Sequence, residues 1–467
     1  MKGSIFVVAL LVACAVAFDA DRVNSLPDMG NFTDYGVFSG YLKIPYTTKS
    51  LHYLLVESAS KPDSDPLMVW FNGGPGCSSM LAFAQEHGPY AMEDGADNFQ
   101  KNEWSWNRDY NMLYIESPAG VGYSRVEDAS EAVFDDDLSG KDNYQALKAF
   151  FEKYPDFVDR DLYIAGESYA GIYVPFLASE VIRQNARGEK PMNLKGIMVG
   201  NGVTNWKFDC NPAYQMMAFW HNMYDISTAW RMKKEKCVFE NFGNITEECG
   251  KIWSEFMKTT ERVNIYDIYR HCYDNEEKFA TTFLHGKQHT YKVGATAAEY
   301  TPWLYNPETR AKLGLDATPV GIVPPCVYGA GVTKYFNRKD VRSALNIHFN
   351  DQPWELCTDR IQYNIGIDAS QAKYDGIKEA GVRILHFSGD TDGAVPTLGT
   401  RKWIEEMGWP LKKQFRTWLM NDQVAGFIEE FEGLTLAIVH GVGHMAPQWA
   451  RENTYTLIDS WIKGKKI

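Results

Sequence analysis

Several features that would indicate other classes of protein are missing from this 467-residue sequence. It has no basic run and no arginine-rich aromatic stretch, and its formal net charge is −13, so nucleic acid is not an expected partner. It has no C-x-x-C pair, no zinc-knuckle spacing and no glycine-rich loop that ends in Gly-Lys-Ser/Thr. Internal repeats and low-complexity segments are also absent. We therefore expect no metal and no cofactor.

Beyond its first residues, the sequence also lacks an apolar run long enough to span a membrane. The apolar run at 5–16 follows Lys2 and leads into Ala-Val-Ala at 15–17, a small-residue pattern typical of signal-peptide cleavage. We predict that residues 1–17 are a signal peptide, that the mature chain begins at about Phe18, and that it enters the secretory route without a membrane span. The alternative is a buried strand or helix at the start of the fold.

Cysteine usage agrees with export. The sequence has eight cysteines, of which Cys14 would leave with the signal peptide. In an exported chain the remaining seven are normally oxidised, and an odd number leaves one without a partner. Two N-x-[ST] sequons, at Asn31 and Asn244, are candidate glycosylation sites.

Short apolar runs recur along the chain, and helical patterns lie between several of them. Continuous apolar runs of this length are typical of central strands covered on both faces. Strand–helix–strand alternation predicts an α/β fold with a mostly parallel sheet and a site at the carboxyl ends of its strands. The predicted strands lie at 67–71, 112–115, 162–165, 196–199, 382–387 and 434–439.

Residues 206–325 differ from the rest of the chain. This stretch is rich in Trp, Tyr, Lys and Glu, holds four of the mature cysteines and lacks strong strand runs. We interpret it as a disulfide-stapled cap inserted over the active site, because long insertions in α/β enzymes often shape the pocket. A separate small domain is the alternative. The core would then consist of two parts, 18–205 and 326–467.

Residues 166–171, with the sequence GESYAG, directly follow the third predicted strand. Strand, small residue, serine, small residue and helix is the layout of a nucleophile elbow, a tight turn that exposes the hydroxyl of Ser168. Ala170 stands where a second glycine is usual. The string alone is a weak indication, so its weight depends on the motifs around it.

Candidate acids and histidines follow the last two predicted strands. Asp390 and Asp392 come after the fifth strand, and His440 and His444 come after the sixth. The order serine, aspartate, histidine is that of the α/β-hydrolases. Serine needs an imidazole to accept its proton, and the imidazole needs a carboxylate to hold its tautomer. Position favours Asp392 and His444; a turn aspartate and a surface histidine are the alternatives.

A glycine-rich loop, residues 70–79 with the sequence WFNGGPGCSS, follows the first predicted strand. Backbone N–H groups in such a loop, together with the N–H of Tyr169, could stabilise a developing oxyanion. The alternative is a plain Gly/Pro turn.

Together these motifs resemble the serine carboxypeptidases. The resemblance rests on residues 70–79, 167–171, 389–392 and 443–447, with further similar blocks at 116–124 and 200–202. It extends from about Tyr35 to the end of the chain and is weakest in the proposed cap. It implies an α/β-hydrolase fold and a serine-type carboxypeptidase that releases C-terminal amino acids from peptides through an acyl-enzyme.

The resemblance also implies individual roles. The catalytic residues would be Ser168, Asp392 and His444, the oxyanion hole would be the N–H groups of Gly74 and Tyr169, the carboxylate of the substrate would be bound by Asn72, Gly73, Glu86 and Glu167, and Met445 would line the specificity pocket. The implied disulfides are Cys77–Cys357, Cys237–Cys249 and Cys272–Cys326, which leaves Cys210 over.

Several functional expectations follow. Neighbouring carboxyl groups must share protons, so binding of a substrate carboxylate is expected to be best at acidic pH. An apolar Met445 predicts a preference for apolar C-terminal residues. The expected partners are peptide or protein C-termini, the state is monomer or homodimer, and the location is a lysosome, a vacuole or the cell exterior. The alternatives are a carboxypeptidase-like acyltransferase, an esterase, or an inactive hydrolase fold that only binds.

Overall fold

The computed structural model describes residues 20–239, 246–260, 262–272, 278–284, 287–293, 326, 329–349, 352–366 and 368–467. The predicted signal peptide, 1–17, and the sequon at Asn244 lie outside these ranges. The other sequon asparagine, Asn31, is exposed. Within the described ranges, no helix combines the length and the apolar character needed to cross a bilayer.

A mixed sheet of eleven strands runs through the centre of the described structure. One of them, Arg125–Val126, is a short strand that pairs with β2. The other ten form one continuous path. In chain order they are β1 Val37–Lys43, β2 Lys49–Val56, β3 Leu67–Phe71, β4 Asn111–Ile115, β5 Leu162–Glu167, β6 Leu194–Gly200, β7 Arg383–Gly389, β8 Leu411–Met420, β9 Gln423–Phe431 and β10 Leu434–Val439.

The strands follow the spatial order β8-β9-β10-β7-β6-β5-β3-β4-β2-β1. The six central strands, from β10 to β4, run parallel. The remaining four are added antiparallel at the two edges. All six strands predicted from apolar runs belong to the parallel stretch, which confirms the predicted fold class. The edge strands were not predicted, because polar residues interrupt their apolar ones.

Helices cover both faces of the sheet and connect its strands. In the described residues they are α1 Asp136–Lys153, α2 Ala170–Ala186, α3 Asn211–Trp220, α4 Ile226–Lys234, α5 Glu247–Thr259, α6 Ala330–Phe336, α7 Lys339–Ala344, α8 Tyr374–Glu379, α9 Thr397–Met407, α10 Ala446–Trp449 and α11 Arg451–Ile462. A short π-helix, Ala82–Glu86, follows the glycine-rich loop.

Alternating side chains of the strands build two apolar cores, one on each face of the sheet. In β3, Met68 and Trp70 belong to one core, and Leu67, Val69 and Phe71 belong to the other. All five are fully buried. Burial of side chains of this size contributes about 1.5–3 kcal/mol each, so β3, which leads into the glycine-rich loop, is held by packing on both of its faces.

Within residues 206–325, the predicted cap, the structure describes α3, α4 and α5, and a hairpin with backbone strands Lys278–Leu284 and Lys287–Val293. The disulfide Cys237–Cys249 joins the segment after α4 to α5. The disulfide Cys272–Cys326 joins Cys272, near the end of the described part after α5, to the segment before α6. A third disulfide, Cys77–Cys357, closes the glycine-rich loop onto the segment after α7. These pairs are the ones the resemblance implies, and Cys210 is buried and unpaired.

Candidate active site

Ser168 occupies the tight turn between β5 and α2. Its φ is 64°, a left-handed backbone that is uncommon outside glycine. The N–H of Ser168 donates to Gly200 O at 3.0 Å, and its carbonyl accepts from the N–H groups of Gly171 and Val203 at 2.9 and 3.0 Å. Its side chain remains partly exposed. A strained turn fixed by the backbone and presenting a serine is the geometry of a nucleophile elbow.

Close backbone packing explains the small residues around the serine. A Cβ on Gly166 would lie 2.4 Å from Phe71 O, and a Cβ on Gly171 would lie 2.4 Å from Val203 O. The Cβ of Ala170 is only 2.6 Å from the position a Cβ on Gly166 would take. Ala170 is therefore accommodated because its neighbour across the turn is glycine.

Asp392 and His444 meet at the carboxyl ends of β7 and β10. His444 Nδ1 lies 2.8 Å from Asp392 Oδ2, and both side chains are buried. Asp392 also accepts from Asn201 Nδ2 at 2.8 Å and from the backbone N–H groups of Ala394 and Val395 at 2.7 and 3.1 Å. With its carboxylate fixed in this way, Asp392 can hold the imidazole with Nδ1 as the donor.

The register of the sheet brings this pair to the same edge as Ser168. Glu167 lies opposite Gly200, Gly200 lies opposite Phe387, and the next parallel pair, β7 and β10, ends beside it. Residues 200 and 201 connect the two halves: Gly200 O accepts from Ser168 N–H, and the Asn201 side chain donates to Asp392.

The other candidates form a separate pair. His440 Nδ1 lies 2.6 Å from Asp390 Oδ2, and Asp390 Oδ1 accepts from the N–H of Gly441 at 2.7 Å. The side chain of His440 is 57% exposed, whereas that of His444 is 2% exposed. The two loops therefore carry one exposed outer pair, Asp390 and His440, and one buried inner pair, Asp392 and His444.

Tyr266, which lies in the stretch 206–325, covers the inner histidine. The Tyr266 ring packs edge-on against the His444 ring with centroids 4.8 Å apart, and Tyr266 O accepts from His444 N–H at 2.7 Å. His444 Nε2 is buried and has no hydrogen-bond partner among the described residues, so it is not bonded to Ser168 here. Catalytic hydrogen bonds are often long before substrate binds. This nitrogen is therefore the one available for proton transfer.

The glycine-rich loop lies directly against the serine turn. A Cβ on Gly73 would lie 2.3 Å from Tyr169 N, so only glycine permits this approach. The next residue, Gly74, has φ +117°. In the described structure, neither Gly74 N–H nor Tyr169 N–H donates a hydrogen bond. Two unpaired N–H groups on adjoining segments beside Ser168 match the requirement of an oxyanion hole.

Next to this loop, three polar side chains form a buried cluster. Asn72 Nδ2 donates to Glu86 Oε1 and to Glu167 Oε1, both at 3.0 Å. Asn72 Oδ1 accepts from Trp70 Nε1 at 3.0 Å, which fixes the orientation of the amide. All three cluster residues are at most 3% exposed. The second oxygen of each carboxyl, Oε2, has no partner within the described residues.

Burial and the presence of the other carboxyl group both disfavour a negative charge on Glu86 and Glu167 at the same time. Burial raises the pKa of Glu86 to about 7. Burial and the adjacent Glu86 carboxyl raise the pKa of Glu167 well above its usual range. A carboxyl pair with raised pKa values retains a proton below neutral pH and can donate a hydrogen bond to an anion.

Comparison with known proteins identifies the family of this chain. The family model described as serine carboxypeptidase matches residues 27–464. The chain belongs to the serine carboxypeptidase family. The protein is accordingly a serine-type carboxypeptidase by family, and its mixed sheet is that of the α/β-hydrolases.

Among relatives of known name, serine carboxypeptidase 1 of Hordeum vulgare is 32% identical, with the match covering 96% of this chain and 93% of that protein. The lysosomal protective protein of Mus musculus is 30% identical over 95% of this chain and 94% of its own length. Among solved structures, a prohormone-processing carboxypeptidase from Saccharomyces cerevisiae superimposes with a TM-score of 0.71, covering 96% of each chain. At 19% identity, this last likeness shows the fold alone.

In this serine carboxypeptidase, Met445 follows His444 directly and precedes α10. Its side chain is 3% exposed and packs in the first apolar core. A buried position is compatible with an enclosed pocket and also with simple core filling, so the role of Met445 in specificity stays a prediction.

Sequence reasoning missed three residues that support the site. Asn201 holds Asp392, and Tyr266 covers His444. Asp136 accepts from the hydroxyl of Tyr169 at 2.7 Å, which anchors the residue next to the nucleophile. Only Asn201 carried any indication, because it lies in one of the similar blocks. The other two come from sequence-distant segments without a motif.

Proposed function

We propose that this serine carboxypeptidase hydrolyses the last peptide bond of its substrates through an acyl-enzyme on Ser168. The Ser168 hydroxyl attacks the carbonyl carbon, and His444 Nε2 takes the hydroxyl proton and passes it to the departing amino group. Water then hydrolyses the ester with the same histidine as base. Asp392 keeps His444 Nδ1 protonated throughout, as the 2.8 Å contact between them supports.

The developing oxyanion would be stabilised by the N–H groups of Gly74 and Tyr169. Both are unpaired within the described residues, and both are held by segments with little freedom. Donors fixed in advance need no reorganisation during the reaction. Each such donor typically contributes a factor of about 10²–10³ in kcat.

The buried cluster of Asn72, Glu86 and Glu167 carries the proposal of exopeptidase activity. A protonated carboxyl and an amide, with Gly73 N–H nearby, would bind the free carboxylate of the substrate. An endopeptidase or an esterase has no need of such a group beside its oxyanion hole. The cluster would therefore restrict cleavage to the last peptide bond.

The same cluster predicts an acidic working range. A substrate carboxylate is charged above about pH 4, and the pair donates hydrogen bonds only while it holds protons. Binding should weaken as the pH rises through the raised pKa of Glu86, about 7. Peptide KM should therefore increase toward alkaline pH.

The proposal extends to substrate specificity, to the role of residues 206–325 and to location. An apolar, buried Met445 next to His444 favours a leaving residue such as Leu, Phe or Met. The stretch 206–325 would act as a cap, which its contact with His444 through Tyr266 supports. A lysosomal, vacuolar or extracellular location fits the predicted signal peptide, the disulfides and the resemblance to a lysosomal relative.

Labelling with a fluorophosphonate probe tests the nucleophile, and release of amino acids from blocked dipeptides tests the reaction. We expect labelling of the parent and none of Ser168→Ala, together with release of the C-terminal residue. Labelling without amino-acid release, or with transfer of the acyl group to an alcohol, would favour the esterase or acyltransferase. An unlabelled parent would indicate an inactive binding fold.

A further inference from the structure

A surface cleft of about 500 Å³ is lined by residues outside the proposed active site. Its volume is within the range of about 300–1,000 Å³ that ligand sites occupy. None of the residues assigned to the nucleophile, the acid–histidine pair, the oxyanion hole or the carboxyl cluster lines it. The walls are formed by the segment after the short strand Gly30–Asn31, by residues around Pro89 and by the loop that follows strand Phe99–Lys101.

The sequon Asn31-Phe32-Thr33 forms part of the wall of this cleft. Phe32 is buried, its ring lies 5.9 Å from the Tyr35 ring, and its N–H donates to Asn24 O at 2.9 Å. The middle residue thus fixes the segment to the core while Asn31 and Thr33 remain exposed. A glycan on Asn31 would start inside the cleft.

The lining of the cleft matches a neutral, hydroxyl-rich ligand. Three aromatic side chains, those of Tyr35, Tyr90 and Trp104, line the cleft and are partly exposed, so they supply apolar ring surface against which sugar rings can pack. The guanidinium of Arg108 lies over the Trp104 ring, 5.1 Å from its centroid. The charged residues that line it are balanced, two acidic and two basic, namely Asp34, Glu103, Lys101 and Arg108. This balance does not favour an anion or a cation, but it supplies hydrogen-bond donors and acceptors at the rim.

The floor of the cleft is rigid. Asn102 Nδ2 donates to Gly88 O at 2.9 Å, and Asn102 Oδ1 accepts from Trp104 N–H at 3.0 Å. Ser105 Oγ donates to His87 O at 3.2 Å. Because these polar groups are paired within the protein, the folded cleft keeps its shape without help from a ligand, so packing of sugars in it requires little further ordering of the protein.

We propose that Asn31 is glycosylated and that the first sugars of its glycan pack into this cleft. In the transfer step, Asn31 Nδ2 forms a bond to C1 of the first N-acetylglucosamine of a lipid-diphosphate-linked oligosaccharide. The bond from C1 to the diphosphate oxygen breaks, the lipid diphosphate leaves, and the amide nitrogen loses one proton. The transfer takes place on the unfolded chain, and folding then closes the cleft around the attached sugars.

The test uses the full chain expressed in a eukaryotic cell that glycosylates secreted proteins. Mass spectrometry of the peptide that contains Asn31 measures occupancy, and a peptide N-glycosidase acting on the folded protein measures how accessible the glycan is. We expect an occupied site. We also expect release from Asn31 to be roughly 5- to 30-fold faster in Trp104→Ala than in the parent, the range that loss of one stabilising contact gives.

Thermal unfolding gives the second measurement. Asn31→Gln should lower the Tm of the parent by about 1–3 °C but leave the Tm of Trp104→Ala nearly unchanged, because the packing partner is already gone. Asn244→Gln is the matched control, and its effect should be the same in both backgrounds. Tyr90→Ala repeats the test with a different ring in case Trp104→Ala folds poorly. The value of kcat/KM should not change in any of these variants.

Three results would overturn the proposal. An unoccupied Asn31 would remove the ligand. Equal release rates from the parent and both ring variants would show that the glycan extends into solvent. Equal Tm losses for Asn31→Gln with and without the rings would show that the cleft and the glycan are energetically independent.

Discussion

Two aspartate–histidine pairs lie on the same two loops of this serine carboxypeptidase, and burial separates them. Asp392 and His444 are almost completely buried, and Asn201 and two backbone N–H groups hold the carboxylate. Asp390 and His440 make an equally short contact, 2.6 Å, at the surface. A short acid–histidine distance therefore does not identify a catalytic pair.

The difference lies in what surrounds each pair. Water competes for every hydrogen bond of His440 and screens its charge, so such an exposed pair contributes at most about 1 kcal/mol to stability. His444 has its ring covered by Tyr266 and leaves only Nε2 unpaired within the described residues. A buried imidazole with only Nε2 left to bond is the arrangement that a general base requires, which is the role we propose for His444.

The largest effect that would break this comparison is loss of the inner histidine. His444→Ala removes the base that the proposal assigns to Ser168, so kcat should fall by about 10⁶-fold. His440→Ala is the matched control and should change kcat by less than about twofold. Both are measured on a blocked dipeptide, with Tm as a check on folding. A comparable loss in both variants, or a loss in His440→Ala alone, would assign the base to the wrong pair.

Removal of the inner acid should have a smaller effect. Asp392→Asn keeps the hydrogen-bonded shape but favours the wrong imidazole tautomer, so kcat should fall by about 10⁴-fold while KM changes little. Asp390→Asn is its counterpart in the outer pair and should leave both constants nearly unchanged. If Asp392→Asn retained more than about a tenth of the parent kcat, the role of this carboxylate would be refuted.

The third prediction concerns the pH dependence of peptide hydrolysis, which we attribute to the carboxyl groups of Glu86 and Glu167. The folded state raises the pKa of Glu86 to about 7 and that of Glu167 well above its usual range. Binding of the substrate carboxylate requires a protonated Glu86 carboxyl. The value of kcat/KM for peptides should therefore decrease by about tenfold per pH unit above about 7. Glu86→Gln with Glu167→Gln keeps hydrogen-bond donors without titration. This double variant should lose that alkaline decrease, while hydrolysis of a C-terminally amidated substrate changes less.

The same pKa values affect stability with a defined sign. A carboxyl whose pKa is higher in the folded than in the unfolded chain binds more protons when folded, so the free energy of unfolding decreases as pH rises from about 4.5 to 7. The double variant should show a weaker decrease over that range. Glu57→Gln removes another carboxyl whose pKa burial raises, so it should also weaken the decrease in stability, but as the control for the site it should leave the peptide pH profile unchanged. An unchanged peptide pH profile in the double variant would contradict the assignment.

Sequence reasoning was most effective for elements that can be recognised from their own local sequence. The parallel strands were predicted because their side chains are buried on both faces and therefore form continuous apolar runs. The edge strands β8 and β9 were missed because polar residues interrupt their apolar ones, so that neither strand forms a continuous apolar run. The turn at Ser168 was predictable, since only small residues fit beside it.

Contacts between distant segments were less predictable. Neither Asp136, which anchors Tyr169, nor Tyr266, which covers His444, belongs to a motif, because each acts through tertiary packing alone. Position in the loop favoured Asp392 over Asp390. Only the structure shows what distinguishes the two aspartates, because the side chain of Asn201 donates a hydrogen bond to Asp392. The separation into an inner and an outer pair is set by the surroundings, which a linear sequence does not display.

The smallest expected effect is a change in the ranking of substrates. It is produced by Met445→Glu, which places a carboxylate next to the inner histidine, His444. Met445 is buried beside His444 in the chain, and an apolar side chain there favours an apolar leaving residue by roughly 1.5–3 kcal/mol. A buried cationic side chain without a partner is strongly disfavoured. The parent should therefore prefer C-terminal Leu, Phe or Met over Lys, Arg or Asp, measured as kcat/KM on blocked dipeptides that differ only in the last residue. Met445→Glu should raise Lys and Arg relative to Leu by about tenfold or more, whereas the volume-conserving control Met445→Leu should keep the parent ranking. A parent that prefers Lys or Arg, or a Met445→Glu variant with an unchanged ranking, would mean that Met445 only fills the core and that the pocket is built from other residues.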